Sequence, residues 1–363
     1  MKTRRLLEGF EAYGWETPTR EIAAKAGLKP EQVVRLDTNA SQYRPSAAMK
    51  ELARLLPKTS VNDYPDTSYH GLAEGLSRYT GKAPERIVVT NGADEGLDIV
   101  TKVFIDKDDE VVIPTPTYSM YGIGARLMGA RVRTVPRKAN FELDVEKMLE
   151  AVGPRTRLVF LCNPNNPTGN FSPLAEVERI AKESGVAVLV DEAYFEMSGK
   201  TAIDFTDSYE NVIVCRTMSK AFSMAGVRVG YLVAKEETVT EMNKVRPPNS
   251  LSVLSVILGE AGLANLGEMR KNVRATVRER QRLYERLLDM KESLLTFPSE
   301  TNFILFKPKH AGADRVHQRL MERGLVLRNL SHVRGVENCL RTTVGTPQTN
   351  RRLLVEMKRA LEN

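Results

Sequence analysis

The sequence predicts an α/β protein with a mostly parallel, seven-stranded sheet covered by helices, followed by a smaller α+β domain. Short apolar runs alternate with longer amphipathic runs, which is typical of a parallel sheet buried on both faces. The 363 residues, 42% of them hydrophobic, are enough for a large core and a smaller one. The runs that predict strands are residues 86–90, 110–114, 131–135, 158–162, 186–191, 212–216 and 229–234.

The pattern changes after Pro247 and Pro248, where the second domain is expected to begin. A helical stretch starts at Leu251, and a charged amphipathic helical pattern runs from residue 267 to about residue 296. Short strand patterns follow near residues 302–306, 326–328 and 339–343. We therefore predict an N-terminal arm and lid at 1–45, a large domain at 46–260 and a small domain at 261–363.

Composition and charge favour a globular, cytoplasmic protein with small-molecule partners, and neither a membrane nor a nucleic-acid role. No apolar run approaches membrane-spanning length, and the N-terminal residues lack the sustained apolar core of a signal peptide. The net charge of +7 is spread along the chain, which favours an anionic substrate and a basic surface over nucleic-acid binding. The widely spaced Cys162, Cys215 and Cys339 fit buried thiols better than disulfides or metal ligands.

A lysine follows one of the predicted strands almost directly. Residues 211–215 indicate a buried strand, so Thr217, Ser219 and Lys220 are expected at its carboxyl end, where open α/β sheets bind ligands. Two hydroxyls and the guanidinium of Arg228 suit a phosphate. A lysine beside a phosphate suggests a phosphorylated carbonyl compound held as a Schiff base, which points to pyridoxal phosphate. This segment alone leaves a surface Ser-Lys pair as the alternative.

An aspartate and a tyrosine follow the preceding strand. Asp191 ends the apolar run 186–190, and Tyr194 lies three residues further on. A buried aspartate needs a cationic partner, and a protonated pyridine nitrogen would be one. The Tyr194 hydroxyl could bind the ring oxygen. The alternative is that Asp191 only caps the next helix.

Two further turns lie at the ends of predicted strands. Residues 163–169 form a proline-fixed turn whose asparagines can donate amides to a ligand. Residues 91–95 read as a glycine turn and a helix start, which offers backbone N–H groups to a phosphate. Each alone is also consistent with an ordinary connection between two elements.

Taken together, these motifs resemble the fold-type-I pyridoxal-phosphate aminotransferases in order and spacing, from about Leu36 to the C-terminus. The resemblance implies a large domain of the pyridoxal-phosphate-transferase type. It implies that Lys220 forms the Schiff base with the cofactor and then moves a proton at the substrate's Cα. It further implies that Asp191 pairs with the pyridine nitrogen and that Asn166 and Tyr194 contact the ring oxygen. The segments that carry the resemblance are residues 91–95, 116–121, 162–169, 191–194 and 219–222.

The resemblance also implies how the rest of the cofactor is held. Tyr118 would stack on the ring, and the backbone amides of Ala93 and Asp94 would bind the phosphate, helped by Thr217, Ser219 and Arg228. Tyr64 would reach the phosphate of the neighbouring subunit's cofactor, which implies a homodimer.

The substrate residues implied by the resemblance lie mainly in the C-terminal part. Arg341 would bind an α-carboxylate through its planar guanidinium. Arg328, together with Arg341, would hold the phosphate of histidinol phosphate, and Asn302 adds a contact; a surface ion pair is the alternative for Arg328. Tyr43, in the lid that lies over the substrate, would also contact the substrate.

The chain is most similar to family members that exchange an amino group between histidinol phosphate and the pair 2-oxoglutarate/glutamate, in histidine biosynthesis. The lid departs from the family pattern at Ala40, Ser41, Gln42 and Arg44. Amino-acid substrates such as aromatic ones therefore stay open, and threonine-phosphate decarboxylation is a more remote alternative on the same scaffold.

A function of another class is suggested by residues 19–36, which resemble a helix-turn-helix with a glycine at the turn. A DNA-binding regulator fused to an aminotransferase-like domain would carry such a motif. Pro30 at the supposed start of the second helix argues against it.

Overall fold

The computed structural model describes residues 2–10, 14 and 16–362. Its strands are β1 Val34–Leu36, β2 Ile87–Thr90, β3 Glu110–Thr115, β4 Arg131–Pro136, β5 Thr156–Cys162, β6 Ala187–Asp191, β7 Val212–Thr217, β8 Gly230–Val233, β9 Leu294–Thr296, β10 Phe303–Pro308, β11 Leu325–Asn329 and β12 Leu340–Thr343. Its α-helices are α1 Thr19–Ala26, α2 Ser46–Leu55, α3 His70–Thr80, α4 Gly92–Phe104, α5 Met120–Leu127, α6 Val145–Glu150, α7 Leu174–Glu183, α8 Phe195–Ser198, α9 Phe205–Ser208, α10 Glu236–Val245, α11 Val253–Ala264, α12 Leu266–Leu288, α13 Ala313–Glu322 and α14 Pro347–Leu361.

The larger sheet within the described residues has seven strands in the order β2-β8-β7-β6-β5-β3-β4. All neighbouring strands are parallel except β8, which runs antiparallel to β2 and β7. Each of the seven predicted strands is present, with ends that differ by no more than two residues from the prediction. The prediction of a mostly parallel seven-stranded α/β sheet is confirmed.

The central strands are buried on both faces, which explains their continuous apolar sequence. In β6, Val188 and Val190 pack into one hydrophobic cluster, whereas Ala187 and Leu189 pack into the cluster on the opposite face. This alternation follows from the two-residue period of a strand. The polar residue that ends β6, Asp191, is thereby carried to the edge of the sheet where the parallel strands β5 and β7 also end.

The second sheet has the order β1-β11-β12-β10-β9. It contains the three predicted C-terminal strands, here β10, β11 and β12. The predicted helical pattern up to about residue 296 was wrong in its last part, because α12 ends at Leu288 and β9 follows it. Strand β1 comes from the predicted N-terminal arm and pairs in parallel with β11. The domain boundaries at residues 45 and 260 stay predictions.

Residues 19–36, which resemble a helix-turn-helix in sequence, do not form one in the structure. Helix α1 forms and ends at Gly27, whose φ of 65° suits glycine. The supposed second helix is only a single 3-10 turn, Pro30–Gln32, after which the chain enters β1. The alternative of a helix-turn-helix in this segment, against which Pro30 already argued, therefore lacks its second helix.

The three cysteines are buried and free, as predicted. Among the helices in the described part of the chain, none combines the length and the apolar character that a membrane crossing requires.

Candidate active site

An open cleft of about 580 Å³ lies at the carboxyl ends of β5, β6 and β7. Most residues predicted for the site line this one cleft, although they come from distant parts of the sequence. The larger sheet and the segments that follow its strands supply most of them, and β11 and β12 of the smaller sheet supply two arginines. The predicted residues that line the cleft are Ala93, Asp94, Tyr118, Asn166, Asp191, Tyr194, Thr217, Ser219, Lys220, Arg228, Arg328 and Arg341.

Lys220 lies three residues beyond the end of β7. Its Nζ atom donates a hydrogen bond to the carbonyl oxygen of Thr38 over 3.2 Å. Burial, followed by the positive charge of Arg341, lowers the pKa of Lys220 from 10.5 to about 8. A substantial fraction of this amine is therefore neutral near physiological pH, which is the form that attacks a carbonyl carbon.

Asp191 is the last residue of β6 and is only 4% exposed. Its carboxylate accepts hydrogen bonds from the Tyr121 hydroxyl at 2.6 Å and from the Ala193 backbone N–H at 3.0 Å. Burial raises the pKa of Asp191 from 3.8 to about 6, against the lowering effect of these two donors. Because both donors are neutral, the site favours a cationic group beside this carboxylate.

Tyr194 and Asn166 are tied to residues from other parts of the chain. The buried Asn39 donates from Nδ2 to the Tyr194 hydroxyl over 2.9 Å. Asn166 accepts a hydrogen bond from Arg341 Nη1 through its side-chain oxygen. These contacts connect the end of the larger sheet with the arginine of β12.

A site suited to an anion lies at the N-terminus of α4. Thr217 donates to the Ser219 hydroxyl over 2.9 Å, and Arg228 Nη1 lies 3.3 Å from the same Ser219 oxygen. Arg228 also pairs with the Asp94 carboxylate at 3.2 Å. Gly92 has a φ of 75°, and a Cβ atom there would collide with the Arg228 guanidinium. The positive end of the α4 dipole therefore lies beside the two hydroxyls and the Arg228 guanidinium. This arrangement suits the binding of a phosphate.

Tyr118 connects this anion site with Asp191. Its hydroxyl donates to Asp94 Oδ1 over 2.9 Å. Its ring packs edge-on against Tyr121, with ring centroids 5.6 Å apart. Tyr121 in turn stacks on Phe160 at 5.0 Å, which holds the Tyr121 hydroxyl against Asp191.

Two arginines face the cleft from the smaller sheet. Arg328 on β11 and Arg341 on β12 are directly paired residues of antiparallel strands. Arg341 is 7% exposed, and its Nη2 donates to the Asp37 carbonyl over 2.7 Å. Arg328 Nη1 lies 3.3 Å from Glu16 Oε1.

Three predicted site residues do not line the cleft. Asn302 is buried, and its Nδ2 donates to the Asn39 carbonyl over 2.9 Å. It therefore contacts a residue that lines the cleft without lining the cleft itself. Tyr43 is half-buried outside the cleft. Tyr64 is 82% exposed. Direct substrate contact by Asn302 and Tyr43, and contact with a second subunit by Tyr64, stay predictions.

Three residues that contact the site, Tyr121, Asn39 and Glu16, were not among those predicted from the sequence. Tyr121 lies in the first turn of α5, three residues after Tyr118, which precedes the helix. Their closeness in the sequence could have predicted a second tyrosine near the site. Asn39 lies within the predicted arm and lid at 1–45, and Glu16 gave no signal because its partner Arg328 lies 312 residues away.

The sheet, together with a cleft at its strand ends that contains both Lys220 and Asp191, defines an enzyme-like α/β protein. Residues 31–356 match the family described as aminotransferase class I and II, and the chain belongs to this family. It is 38% identical over 329 residues to the histidinol-phosphate aminotransferase of Caldanaerobacter subterraneus subsp. tengcongensis, covering 90% of this chain and 93% of that protein. It is 36% identical over 337 residues to the histidinol-phosphate aminotransferase of Methanosarcina mazei, covering 92% and 90% of the two chains.

A solved structure also resembles this protein over nearly its whole length. The histidinol-phosphate aminotransferase of Sinorhizobium meliloti, solved in complex with pyridoxal-5'-phosphate, superimposes with a TM-score of 0.88 at 25% identity. The match covers 99% of this chain and 97% of the other.

Proposed function

We propose that this protein is a pyridoxal-phosphate-dependent aminotransferase that exchanges an amino group between histidinol phosphate and the pair 2-oxoglutarate/glutamate. The observation that carries the proposal is one cleft that holds a lysine of lowered pKa, a buried aspartate and two arginines. The relatives named above support histidinol phosphate as the substrate.

The residues of the cleft fit pyridoxal phosphate at both ends of that molecule. The Asp191 carboxylate, with its neutral donors and raised pKa, fits a protonated pyridine nitrogen. The N-terminus of α4, the two hydroxyls and Arg228 fit the phosphate. When bound, the cofactor would supply an electron sink for the bond broken at the substrate's Cα and would carry the nitrogen between substrates.

Lys220 would have two tasks in this reaction. Its neutral amine, favoured by the lowered pKa, would hold the cofactor covalently. Once released, the same amine would remove and return the proton at the substrate's Cα. Tyr194 and Asn166 would bind the ring oxygen, and Tyr118 would stack on the ring.

The two arginines would select the substrates. Arg341 would bind the α-carboxylate of glutamate or of 2-oxoglutarate through its planar guanidinium. Histidinol phosphate has a phosphate ester in the corresponding part of the molecule, so Arg341 and the adjacent Arg328 would bind it together. Asn302 and Tyr43 would complete the substrate site.

We further propose that the enzyme is a cytoplasmic homodimer whose partners are small amino and keto acids, with neither nucleic acid nor membrane involved. Tyr64 projects from the surface, which leaves it available to contact the cofactor phosphate of a second subunit. The large and small domains would be those predicted at 46–260 and 261–363, behind an N-terminal arm at 1–45.

The test is a half-reaction screen with the cofactor-loaded protein. Loss of the cofactor's visible absorbance is followed with histidinol phosphate, glutamate, phenylalanine and tyrosine. Histidinol phosphate and glutamate should react quickly. If aromatic amino acids react and histidinol phosphate does not, the substrate is wrong although the aminotransferase activity stands.

The lysine assignment is tested by Lys220→Ala, which should abolish both turnover and covalent trapping of the cofactor by borohydride. Lys244→Ala, at an exposed lysine of α10 that pairs with Glu241, is the matched control. Turnover and trapping retained in Lys220→Ala would contradict the proposal.

A further inference from the structure

An acidic residue from the N-terminal segment lies among the groups that would bind the substrate's anion. Glu16 lines the cleft, and its Oε1 atom is 3.3 Å from Arg328 Nη1. The Arg328 and Glu16 side chains are 27% and 33% exposed, so the ion pair is in contact with solvent but is not fully screened.

The carboxylates that line the cleft have different partners. Asp37 is held by Arg35 through two hydrogen bonds, and Asp94 is paired with Arg228 in the cofactor part of the cleft. Glu16 differs from these because it pairs with Arg328, an arginine at the substrate end of the cleft. Its charge therefore acts where the substrate's anion would bind.

Strand pairing explains why a carboxylate is favoured there. Arg328 and Arg341 are opposite each other on β11 and β12, so two positive charges are adjacent on the sheet. Like charges directly opposite across strands are destabilising, and a carboxylate beside one of them reduces this repulsion. Glu16 thus serves as a counter-ion of Arg328.

The two proposed substrates place different demands on this arrangement. An α-carboxylate carries one negative charge and can bind to Arg341 while Glu16 stays paired with Arg328. A phosphate monoester carries up to two negative charges and needs both arginines. It must therefore compete with the Glu16 carboxylate, which also repels it.

We propose that Glu16 is a specificity-determining residue. Its carboxylate must break its ion pair with Arg328 when a phosphate-bearing substrate binds, but not when an α-amino or α-keto acid binds. This proposal rests on the proposed function. Glu16 thereby affects the ratio of the kcat/KM values of the two half-reactions that share one cleft.

The test compares the half-reactions of histidinol phosphate and glutamate in Glu16→Gln, which keeps the shape of the side chain and removes its charge. The ratio of the kcat/KM value for histidinol phosphate to that for glutamate should rise roughly two- to fivefold, the range expected from a partly exposed ion pair. Glu21→Gln, the same change at an exposed residue of α1 that pairs with Lys25, should leave the ratio unchanged.

A binding measurement separates this effect from chemistry. The binding affinity is measured by calorimetry in a cofactor-loaded Lys220→Ala background. There, Glu16→Gln should raise the affinity for histidinol phosphate by a similar factor. The affinity for histidinol, which lacks the phosphate, should stay unchanged. An unchanged or lowered ratio in Glu16→Gln, with the wild type active on both substrates, overturns the inference alone. A wild type that does not react with histidinol phosphate overturns the proposed function, and the inference with it.

Discussion

Removal of one hydroxyl, in Tyr121→Phe, tests how the cofactor's nitrogen would be held. The Tyr121 hydroxyl donates to Asp191 Oδ2 over 2.6 Å, and both groups are buried. The phenylalanine ring would keep the stacking on Phe160, so the substitution removes the hydrogen bond without removing the packing. Asp191 would keep the backbone N–H of Ala193 as a donor.

The expected change in the pKa of Asp191 follows from the strength of this hydrogen bond. A short hydrogen bond to a buried carboxylate is worth about 1.5–3 kcal/mol. Since one pKa unit corresponds to about 1.4 kcal/mol, its loss should raise the pKa of Asp191 by roughly one to two units. The Asp191 pKa of about 6 would then move to or above neutrality. At pH 7 much of the carboxyl group would be protonated and unable to balance a charged ring nitrogen.

The assay is the equilibrium affinity for pyridoxal phosphate measured from pH 5 to pH 9. In the wild type the affinity should fall as the pH falls through about 6, because the carboxylate is protonated there. In Tyr121→Phe the fall should begin one to two pH units higher, and the affinity at pH 7 should be roughly two- to tenfold weaker.

Tyr209→Phe is the matched control, because its hydroxyl donates to Glu178 over 2.9 Å outside the cleft. If Tyr121→Phe and Tyr209→Phe gave the same affinity and the same pH midpoint, the reasoning that connects Tyr121, Asp191 and the cofactor would be refuted.

Three other predictions concern the amine, the tyrosine and the core. The rate at which the empty protein incorporates pyridoxal phosphate should rise as the pH is raised through about 8, where Lys220 loses its proton, and then level off; a flat profile in stopped-flow absorbance would argue against this. Asn39→Ala, which removes the donor to the Tyr194 hydroxyl, should lower kcat about tenfold in steady-state assays, from the loss of about 1–1.5 kcal/mol. Arg216→Met should destabilise the fold by about 3–5 kcal/mol in urea titrations, because it leaves the Glu192 carboxylate buried without its 2.8 Å ion pair. The double variant with Glu192→Gln should recover part of that loss, and no recovery would argue against charge burial as the cause.

The larger sheet and the residues at its strand ends could be predicted from sequence because both depend on local patterns. The apolar runs identify the strands, and a polar residue that follows a run lies at the sheet edge. Asp191, Thr217 and Lys220 follow neighbouring parallel strands in this way, and the structure brings them to one cleft. No long-range information was needed for this part.

The smaller sheet depends on pairing between distant segments, which local patterns do not encode. Strand β1 has only three residues, and the neighbour that makes it a strand, β11, lies almost 300 residues further along the chain. The 3-10 turn before it allowed the alternative of a second helix, because α1 and Gly27 form a true helix end. The ion pair between Glu16 and Arg328 has the same long-range character.

The pairing of β1 also determines the surroundings of the reactive lysine. The three residues after β1 each contact the site: the Asp37 carbonyl accepts from Arg341, the Thr38 carbonyl accepts from Lys220, and Asn39 donates to the Tyr194 hydroxyl. Their position follows from the parallel pairing with β11, the strand that carries the proposed phosphate-binding arginine. Because the contact to Lys220 is made by the backbone carbonyl of Thr38, a side-chain change at residue 38 would leave it in place. A change in how β1 pairs with β11 would instead disturb the contacts of Lys220, Tyr194 and Arg341 together. The smaller sheet therefore helps to position the residues that would react with the cofactor as well as those that would bind the substrate.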